Sequence, residues 1–356
     1  MTRESTTTDP STTTVLVTGA TGFIAQHCIL QLLDAGYAVR GTARSASRGG
    51  RVAQVLEPHL ADPSSTERFE LLAADLTRDQ GWADAAAGCR FVLHVASPIP
   101  SAPPKDEQEL IGPARDGALR VLRAAADAGV ERVVMTSSLA AVLYGVERDK
   151  VFTEQDWSNV DGGSIGPYEK SKTLAERAAW ELAGSLDLEL TTINPGLVLG
   201  PILDADLNTS SEAVAKLMNR EFPACPDLHF AMVDVRDVAA AHLAAMTTPE
   251  AAGERFLCAI GDHSLREVAT ILDRHFGPRG YRIPTGRMPA FAMRLVALFD
   301  KTARLALNDL GCPQAIDNSK IRRVLGWEPH SLEEMVVANA ESLIRHGLLR
   351  RPPKAA

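Results

Sequence analysis

A tyrosine and a lysine stand four residues apart in the stretch GPYEKSK, residues 166–172, at the start of an amphipathic segment. Positions i and i+4 of a helix share one face, so we expect Tyr168 and Lys172 to point the same way. An ammonium group beside a phenol favours the phenolate, so the pair predicts a pKa for Tyr168 below its ordinary value of about 10. Such a tyrosine suits proton donation to a carbonyl oxygen, and a plain exposed helix face is the structural alternative.

A serine hydroxyl follows an apolar strand 30 residues before the tyrosine, in the stretch MTSSLAAV. In a doubly wound sheet, ligands bind in the crevice outside the carboxyl ends of the strands. Ser138 is therefore predicted to hydrogen-bond a substrate oxygen, with a capping or turn role as its alternative. We assign structural roles to its neighbours Thr136 and Ser137.

A glycine-rich turn, TGATGFIA, occupies residues 18–25 between an apolar strand and an amphipathic segment. Gly19 permits a tight turn, Gly22 lets the backbone approach a pyrophosphate, and the small residue Ala25 lets helix and strand pack closely. The N-terminus of the following helix supplies free N–H groups and partial positive charge. The turn predicts a dinucleotide phosphate site, and an ordinary strand-to-helix turn is the alternative.

The end of the second strand indicates which dinucleotide binds. NAD-specific sites carry an acidic residue there, about 20 positions on, that bonds the ribose 2′-hydroxyl, and this chain has Ala43 at that point. Arg40 precedes it and Arg44 follows it, and guanidinium groups are suited to a 2′-phosphate. NADP(H) is thus the predicted cofactor. Arg48 could substitute in this role, and a solvated strand-end charge is the alternative for either arginine.

Apolar runs alternate with helical stretches from residue 14 onward, and the runs are TVLVT, YAVRGTA, FELLAA, FVLHVA, RVVMTS and ELTTIN. Short, nearly continuous apolar runs are typical of parallel strands covered by helices on both faces. The alternation predicts an α/β fold, a doubly wound parallel (Rossmann) sheet with a smaller C-terminal substrate lobe.

The change of rhythm after Pro195 suggests where the domains divide. We expect a disordered tail at residues 1–13 and an NADP-binding Rossmann domain at residues 14–194, with a strand and helix at about 230–250 returning to its sheet. Residues 195–229 and 251–350 are assigned to the substrate-binding lobe.

Composition narrows the partners and the compartment. The net charge is −8 with no basic block, which argues against nucleic acid as a binding partner.

The longest apolar stretch, residues 289–307, is interrupted by charges, so we expect an amphipathic lobe helix and no membrane span, with membrane association as the alternative. The five scattered cysteines lack metal-site spacing, and the N-terminus has no apolar run. Both observations favour a reducing cytoplasm, without a signal peptide or a zinc site. The oligomeric state stays open between monomer and homodimer.

Seven motifs occur in order along the chain: VTGATGFIA, VRGTARS, HVASP, TSS, YEKSK, NPGLVLGP and VDVRDVAAAH. Together they resemble an extended short-chain dehydrogenase/reductase, in particular the group that includes dihydroflavonol 4-reductase, cinnamoyl-CoA reductase and yeast-type methylglyoxal (aldehyde) reductases. The likeness spans roughly residues 14–260.

The resemblance implies a catalytic triad of Ser138, Tyr168 and Lys172. In it Tyr168 is the acid, Ser138 binds the carbonyl oxygen and Lys172 also bonds the nicotinamide ribose. The implied cofactor contacts are Gly19, Gly22, Phe23 and Ile24 at the pyrophosphate, Arg44 with Arg40 at the 2′-phosphate, Asp75 and Leu76 at the adenine, Val95, Ala96 and Ser97 along the cofactor path, and Pro195 and Val198 near the nicotinamide.

Two of these assignments have alternatives. Asp75 could instead cap a helix. Leu143 stands where the plant flavonoid reductases usually carry asparagine, which favours an apolar carbonyl pocket over a polyhydroxylated flavonoid substrate.

The predicted activity is NADPH-dependent reduction of an aldehyde or ketone to an alcohol, a small-molecule reaction in which Tyr168 protonates the developing alkoxide. A nucleotide-sugar epimerase or dehydratase and a hydroxysteroid dehydrogenase use a similar triad and stay as alternatives, although Ala43 and Arg44 disfavour the epimerases. A non-catalytic NADP-sensing protein is a further alternative, and it would need no proton donor.

Overall fold

The computed structural model describes residues 9–98, 106–147, 149–163, 165–296, 298 and 307–350. The strands are β1 (Thr14–Val17), β2 (Ala38–Ala43), β3 (Phe69–Ala73), β4 (Phe91–His94), β5 (Arg132–Thr136), β6 (Glu189–Pro195), β7 (Leu197–Leu199), β8 (His229–Asp234), β9 (Arg255–Cys258) and β10 (Gly261–Ser264). The α-helices are α1 (Phe23–Asp34), α2 (Gly49–Leu56), α3 (Trp82–Ala86), α4 (Gln108–Asp127), α5 (Pro167–Leu186), α6 (Thr209–Met218), α7 (Val235–Thr247), α8 (Leu265–Phe276), α9 (Ala290–Val296), α10 (Ser319–Leu325) and α11 (Leu332–Arg345).

Seven described strands form a parallel sheet in the order β3-β2-β1-β4-β5-β6-β9. The chain first winds outward from β1 to β3 and then reverses to β4 on the other side of β1. A crevice opens at such a reversal, outside the carboxyl ends of the strands. The predicted doubly wound fold is confirmed.

Both faces of the central strands of this sheet are buried, which explains why these strands are apolar without alternation. In β1, Val15 and Val17 lie in one hydrophobic cluster with Ile29 of α1, whereas Leu16 lies in a second cluster with Leu122 of α4. Successive side chains of a strand point to opposite faces, so every position of β1 meets a covering helix layer. Helices α1 and α7 pack together on one face, and α4 packs with α5 on the other.

The strand expected to return to the main sheet does not do so. The strand β8 pairs with β7 and β10 in a separate three-stranded sheet, and the seventh strand of the main sheet is β9. The expected boundaries were wrong here, because β9 lies inside the range 251–350 that we assigned to the lobe. An apolar run identifies a strand but does not name its partner. The helix of that return segment, α7, does pack against α1.

The chain leaves the main sheet at Gly196, the single residue between β6 and β7. A Cβ atom at this position would overlap the backbone carbonyl of Ala231 in β8. The absence of a side chain therefore lets the two sheets approach each other closely.

Gly196→Ala is accordingly expected to lower the free energy of unfolding by about 1–3 kcal/mol, because the added methyl group must displace the β8 backbone. Gly50→Ala is the matched control, since a Cβ at Gly50 meets nothing within 4 Å. It should raise stability by roughly 0.5–1 kcal/mol, because alanine is the better helix former. Urea denaturation measures both variants, and an unchanged midpoint for Gly196→Ala would contradict this account.

The smaller sheet is covered by α6, α8 and α11, whose apolar side chains form a third cluster with it. Helix α9 is amphipathic, with Met293 buried and Phe291 exposed. Residues 297 and 299–306 of the longest apolar stretch lie outside the described residues. Among the helices that are described, none combines the length and apolar character needed to cross a bilayer.

The expected disordered tail was wrong for residues 9–13. Pro10–Thr12 forms a short 3-10 helix that Asp9 caps by accepting a hydrogen bond from the Ser11 N–H. The Thr13 carbonyl accepts a hydrogen bond from Ala38 at the edge of β2. An aspartate followed by a proline favours a turn. We predicted disorder from the Ser/Thr-rich composition and did not consider this local signal. Residues 1–8 lie outside the described part of the chain.

Candidate active site

The glycine turn joins β1 to α1 at the reversal point of the sheet. Gly19 has φ +71°, and a Cβ there would lie 3.0 Å from the Cβ of Ala96. Gly22 is the N-cap of α1 and makes no side-chain capping bond, and the first turn of α1 carries no acidic residue. The N–H groups of the first turn, starting with Phe23 and Ile24, are therefore not capped by a side chain. This arrangement fits the pyrophosphate of a dinucleotide.

The predicted path residues lie beside this turn. The Ala96 N–H donates to Thr18 Oγ1 at 3.0 Å, which ties the segment Val95–Ala96–Ser97 to the end of β1. Thr18 Oγ1 also lies 2.9 Å from Nδ1 of the buried His94, whose pKa burial lowers to about 3. His94 is thus a neutral core side chain. Sequence reasoning missed the role of Thr18 in holding the turn.

Arg44 lies at the strand end that is predicted to select NADP(H). The side chain of Arg40 does not reach this strand end. Arg44 and Arg48 are exposed beyond the end of β2. Arg40 lies in the middle of the strand, where its Nη1 donates to the carbonyl oxygens of Asp84, Ala85 and Ala87 and its Nε bonds Glu70.

The assignment of Arg40 to the 2′-phosphate was therefore wrong. Alternation along β2 places Val39 toward α1 and Arg40 on the opposite face, toward α3. There its guanidinium satisfies the carbonyl oxygens at the end of α3.

Asp75 and Leu76, predicted at the adenine, follow the end of β3. Asp75 Oδ1 accepts hydrogen bonds from the N–H and the Oγ1 of Thr77, both at 2.9 Å, and these bonds lower the pKa of Asp75. The helix-cap alternative was wrong, because the N-cap of α3 is Gly81 and Asp75 makes a side-chain turn. Leu76 packs against Gly117 of α4. Their contact with adenine stays a prediction.

Ser138, Tyr168 and Lys172 come together at the carboxyl edge of the sheet. Helix α5 begins with Pro167 at its first position after Gly166, a pattern typical of helix starts, and so presents Tyr168 at its N-terminal end. Ser138 lies just beyond β5, and its hydroxyl lies close enough to the Tyr168 phenol to lower the pKa of that phenol against the effect of burial. The Lys172 Nζ lies 5.9 Å from the centre of the Tyr168 ring. Ser138 also caps a short 3-10 helix by accepting a hydrogen bond from the Ala140 N–H, so its capping alternative occurs, and its bond to a substrate oxygen stays a prediction.

The electrostatics of the pair differ from the sequence expectation. Burial lowers the pKa of Lys172 to about 8, and the carboxylate of Glu176 partly opposes this effect. The pKa of Tyr168 is raised above its ordinary value, chiefly by desolvation of the hydroxyl, although 38% of the residue is exposed. The expected lowering of the Tyr168 pKa was wrong, because desolvation of the hydroxyl raises it.

The predicted nicotinamide residues lie at the same edge. Pro195 ends β6, the strand beside β5, and the Nδ2 of Asn194 next to it donates to the Ser138 carbonyl at 3.2 Å. Val198 is 9% exposed in β7. Leu143 is 1% exposed within the main hydrophobic cluster. The inference of an apolar pocket from Leu143 was therefore wrong, because this side chain faces the core.

A glycine turn at the reversal of a parallel sheet, with a serine, a tyrosine and a lysine at the same edge, defines a dinucleotide-binding α/β protein. The chain belongs to the NAD dependent epimerase/dehydratase family, which matches residues 15–261.

Several relatives are similar over most of the chain. An NADPH-dependent methylglyoxal reductase of Saccharomyces cerevisiae is 32% identical over 358 residues, which cover 93% of this chain and 98% of that protein. Cinnamoyl-CoA reductase 1 of Arabidopsis thaliana is 38% identical over 281 residues, 78% of each chain. The crystal structure of yeast methylglyoxal/isovaleraldehyde reductase complexed with NADPH has a TM-score of 0.77 at 29% identity and covers 94% of this chain and 99% of that one. The predicted resemblance is confirmed.

Proposed function

We propose that this protein reduces an aldehyde or ketone to an alcohol with NADPH as the hydride donor. The observation that carries the proposal is that the Ser138 hydroxyl lies beside the Tyr168 phenol, with Lys172 one turn along the same helix and its Nζ 5.9 Å from the centre of the tyrosine ring. These three polar groups lie at the carboxyl edge of the sheet, near a glycine turn suited to a pyrophosphate. The reductase names of the relatives support the same chemistry.

The residues at the crevice fit NADP(H). The N–H groups at the start of α1 would hold the pyrophosphate, and the exposed Arg44 would hold the 2′-phosphate. NADPH supplies a hydride to the carbonyl carbon when it is bound. The C=O π pair moves to the oxygen, and the Tyr168 O–H bond breaks to give that oxygen its proton.

Tyr168 carries the proton that the acid role requires, although its raised pKa makes it a weaker acid than the sequence led us to expect. Its raised pKa keeps the phenol protonated at neutral pH, so a proton is available for transfer. Ser138 offers a second hydroxyl donor to the negative oxygen as it forms. Lys172, when charged, stabilises the phenolate that remains.

The charge of Lys172 predicts how the rate depends on pH. Its pKa of about 8 lies below the ordinary value, so Lys172 is cationic below pH 8 and becomes neutral above it. We expect kcat for reduction to hold below pH 8 and to fall as the pH rises through that value. This fall of kcat above pH 8 is the alkaline limb of the pH profile. Lys172→Arg should keep the positive charge at higher pH and so flatten the alkaline limb. A wild-type rate that rises through pH 8 to 9 would contradict the role of the ammonium.

Loss of NADPH absorbance, in parallel with NADH, across aldehydes, diketones, α-keto esters and flavonoid ketones tests the proposed activity. Turnover that prefers NADPH is the expected result. Cofactor that is retained through desalting, with no turnover on any carbonyl, would overturn the proposal in favour of an epimerase or a sensor.

We also infer that the enzyme is cytoplasmic. We further infer that its substrate binds between the two sheets. Free thiols at all five cysteines support a reducing compartment. The cluster formed by α6, α8 and α11 with the small sheet supports a separate substrate lobe. Cell fractionation tests the compartment.

A further inference from the structure

Glu176 is a fully buried carboxyl side chain on α5, one helical turn beyond Lys172. Tyr168, Lys172 and Glu176 are spaced by four residues each, so they follow one another along one face of the helix. A buried charge is costly unless it is paired and hydrogen-bonded. Its partners therefore show what the carboxylate is for.

Both carboxylate oxygens of Glu176 are held from several elements. Oε1 accepts from Arg255 Nε at 2.6 Å, Thr192 Oγ1 at 3.2 Å and Trp180 Nε1 at 3.3 Å. Oε2 accepts from Ser137 Oγ at 2.5 Å, Asn194 Nδ2 at 2.8 Å and Arg255 Nη2 at 3.4 Å. Through these bonds α5 is tied to the ends of β5 and β6 and to β9.

Arg255 is itself fully engaged. Besides Glu176, it donates through Nη1 to the carbonyl oxygens of Glu154 at 2.7 Å and Asp156 at 2.9 Å. Its guanidinium carbon lies 3.8 Å from the ring centre of Trp157. The arginine thus joins the loop before α5 to the carboxylate inside it, and its orientation is determined on every side.

We propose that Glu176, clamped by Arg255, is a positioning residue that braces the helix carrying Lys172 against the strand end carrying Ser138 and sustains the positive charge of the Lys172 ammonium. This inference rests on the proposed reductase function, because only then is the charge of Lys172 needed during turnover.

The neighbours of Lys172 show which group can sustain its positive charge. His94 of β4 faces the ammonium but is neutral at its pKa of about 3. Tyr168 is protonated at neutral pH, and Arg255, the partner of Glu176, is itself a cation, so neither group supplies a negative charge to Lys172. Among the residues that the structure describes, Glu176 is the neighbour that raises the pKa of Lys172 against the effect of burial.

The same carboxylate also orients the serine side of the site. Asn194 Nδ2 bonds both Glu176 Oε2 and the Ser138 carbonyl oxygen. Ser137, adjacent to Ser138, donates to the same oxygen of Glu176. One buried group therefore supports the strand end that carries Ser138 and the helix that carries Tyr168 and Lys172.

Glu176→Gln removes the charge and keeps the shape. We expect the decline of kcat at alkaline pH to move roughly one pH unit lower, which leaves about a fivefold lower kcat at pH 8 and a much smaller loss at pH 6. The titration of Lys172, followed by NMR with lysine labelled at the ε-carbon and assigned through Lys172→Met, should move in the same direction. An unmoved Lys172 titration would overturn the proposal.

A second variant keeps the test valid if the first is unstable, because Glu176→Gln leaves Arg255 buried without its partner. Glu176→Gln combined with Arg255→Met removes both charges and should regain thermal stability. The shifted limb should persist, because Lys172 still lacks its carboxylate neighbour. If the wild-type limb returned together with stability, Glu176 would only support the fold, and the proposal would be wrong.

Glu189→Gln is the matched control. Glu189 pairs at 2.8 Å with the buried Arg132, but this pair joins the amino ends of β5 and β6, at the far edge of the sheet from the site. It should lose stability and keep the wild-type limb. A wild-type protein without turnover would instead refute the proposed function, and the Lys172 titration would still decide the role of Glu176.

Discussion

Tyr168→Phe is expected to lower kcat for NADPH-dependent reduction by about 10²- to 10⁴-fold, the usual contribution of a general acid. The variant loses the hydroxyl that we propose transfers the proton, while the ring stays in place. The residue is 38% exposed, so loss of its hydroxyl should change the fold little. The Kd for NADPH, measured by fluorescence titration, should stay within about twofold because the proposed pyrophosphate and 2′-phosphate sites lie elsewhere.

Tyr37→Phe is the control for this result. Tyr37 is a buried tyrosine that immediately precedes β2, at the amino edge of the sheet and away from the crevice. Its variant should keep kcat near the wild-type value. If Tyr168→Phe turned over at a near-normal rate, the proton would come from another group and the proposed mechanism would fail.

Arg44→Glu is expected to raise the KM for NADPH by roughly 10- to 100-fold, because a charge-assisted hydrogen bond contributes about 1.5–3 kcal/mol and the new carboxylate would repel a phosphate. NADH lacks the 2′-phosphate, so its KM should change by less than about threefold. The ratio of kcat/KM for the two cofactors therefore measures this single contact.

Two arginine variants make the test specific. Arg40→Ala should lower stability and leave the cofactor ratio unchanged, because Arg40 is occupied at the end of α3. Arg48→Ala tests the alternative that we kept open, since Arg48 is exposed near the same strand end. Equal changes in KM for NADPH and NADH in Arg44→Glu would remove Arg44 from the phosphate role.

The sequence alone predicted the parts of the fold that local patterns encode. The six apolar runs became six of the seven described strands of the main sheet, and the glycine turn lies at the start of α1. The spacing of Tyr168 and Lys172 placed them on one helix face. These features depend on neighbours within a few residues, so period, turn chemistry and helix spacing are enough to find them.

Tertiary structure decided everything that depends on distant partners. Whether β8 or β9 joins the main sheet is a choice between two apolar strands, and the registers with β6 and β7 settle it. Arg40 and Arg44 look equivalent in sequence, but only the sheet face shows that Arg40 is engaged by α3.

Dependence on distant partners also decides which features of the candidate site could be predicted from the sequence and which could not. The three proposed catalytic side chains were identified from their types and order, because a strand end and a helix turn suffice to place them. The raised pKa of Tyr168 depends on desolvation, which no spacing reveals. Glu176 and Arg255 are 79 positions apart, and only the packing of β9 beside β6 brings them together under Lys172. Local pattern determined which groups are present, and long-range burial and pairing determined their charge and orientation.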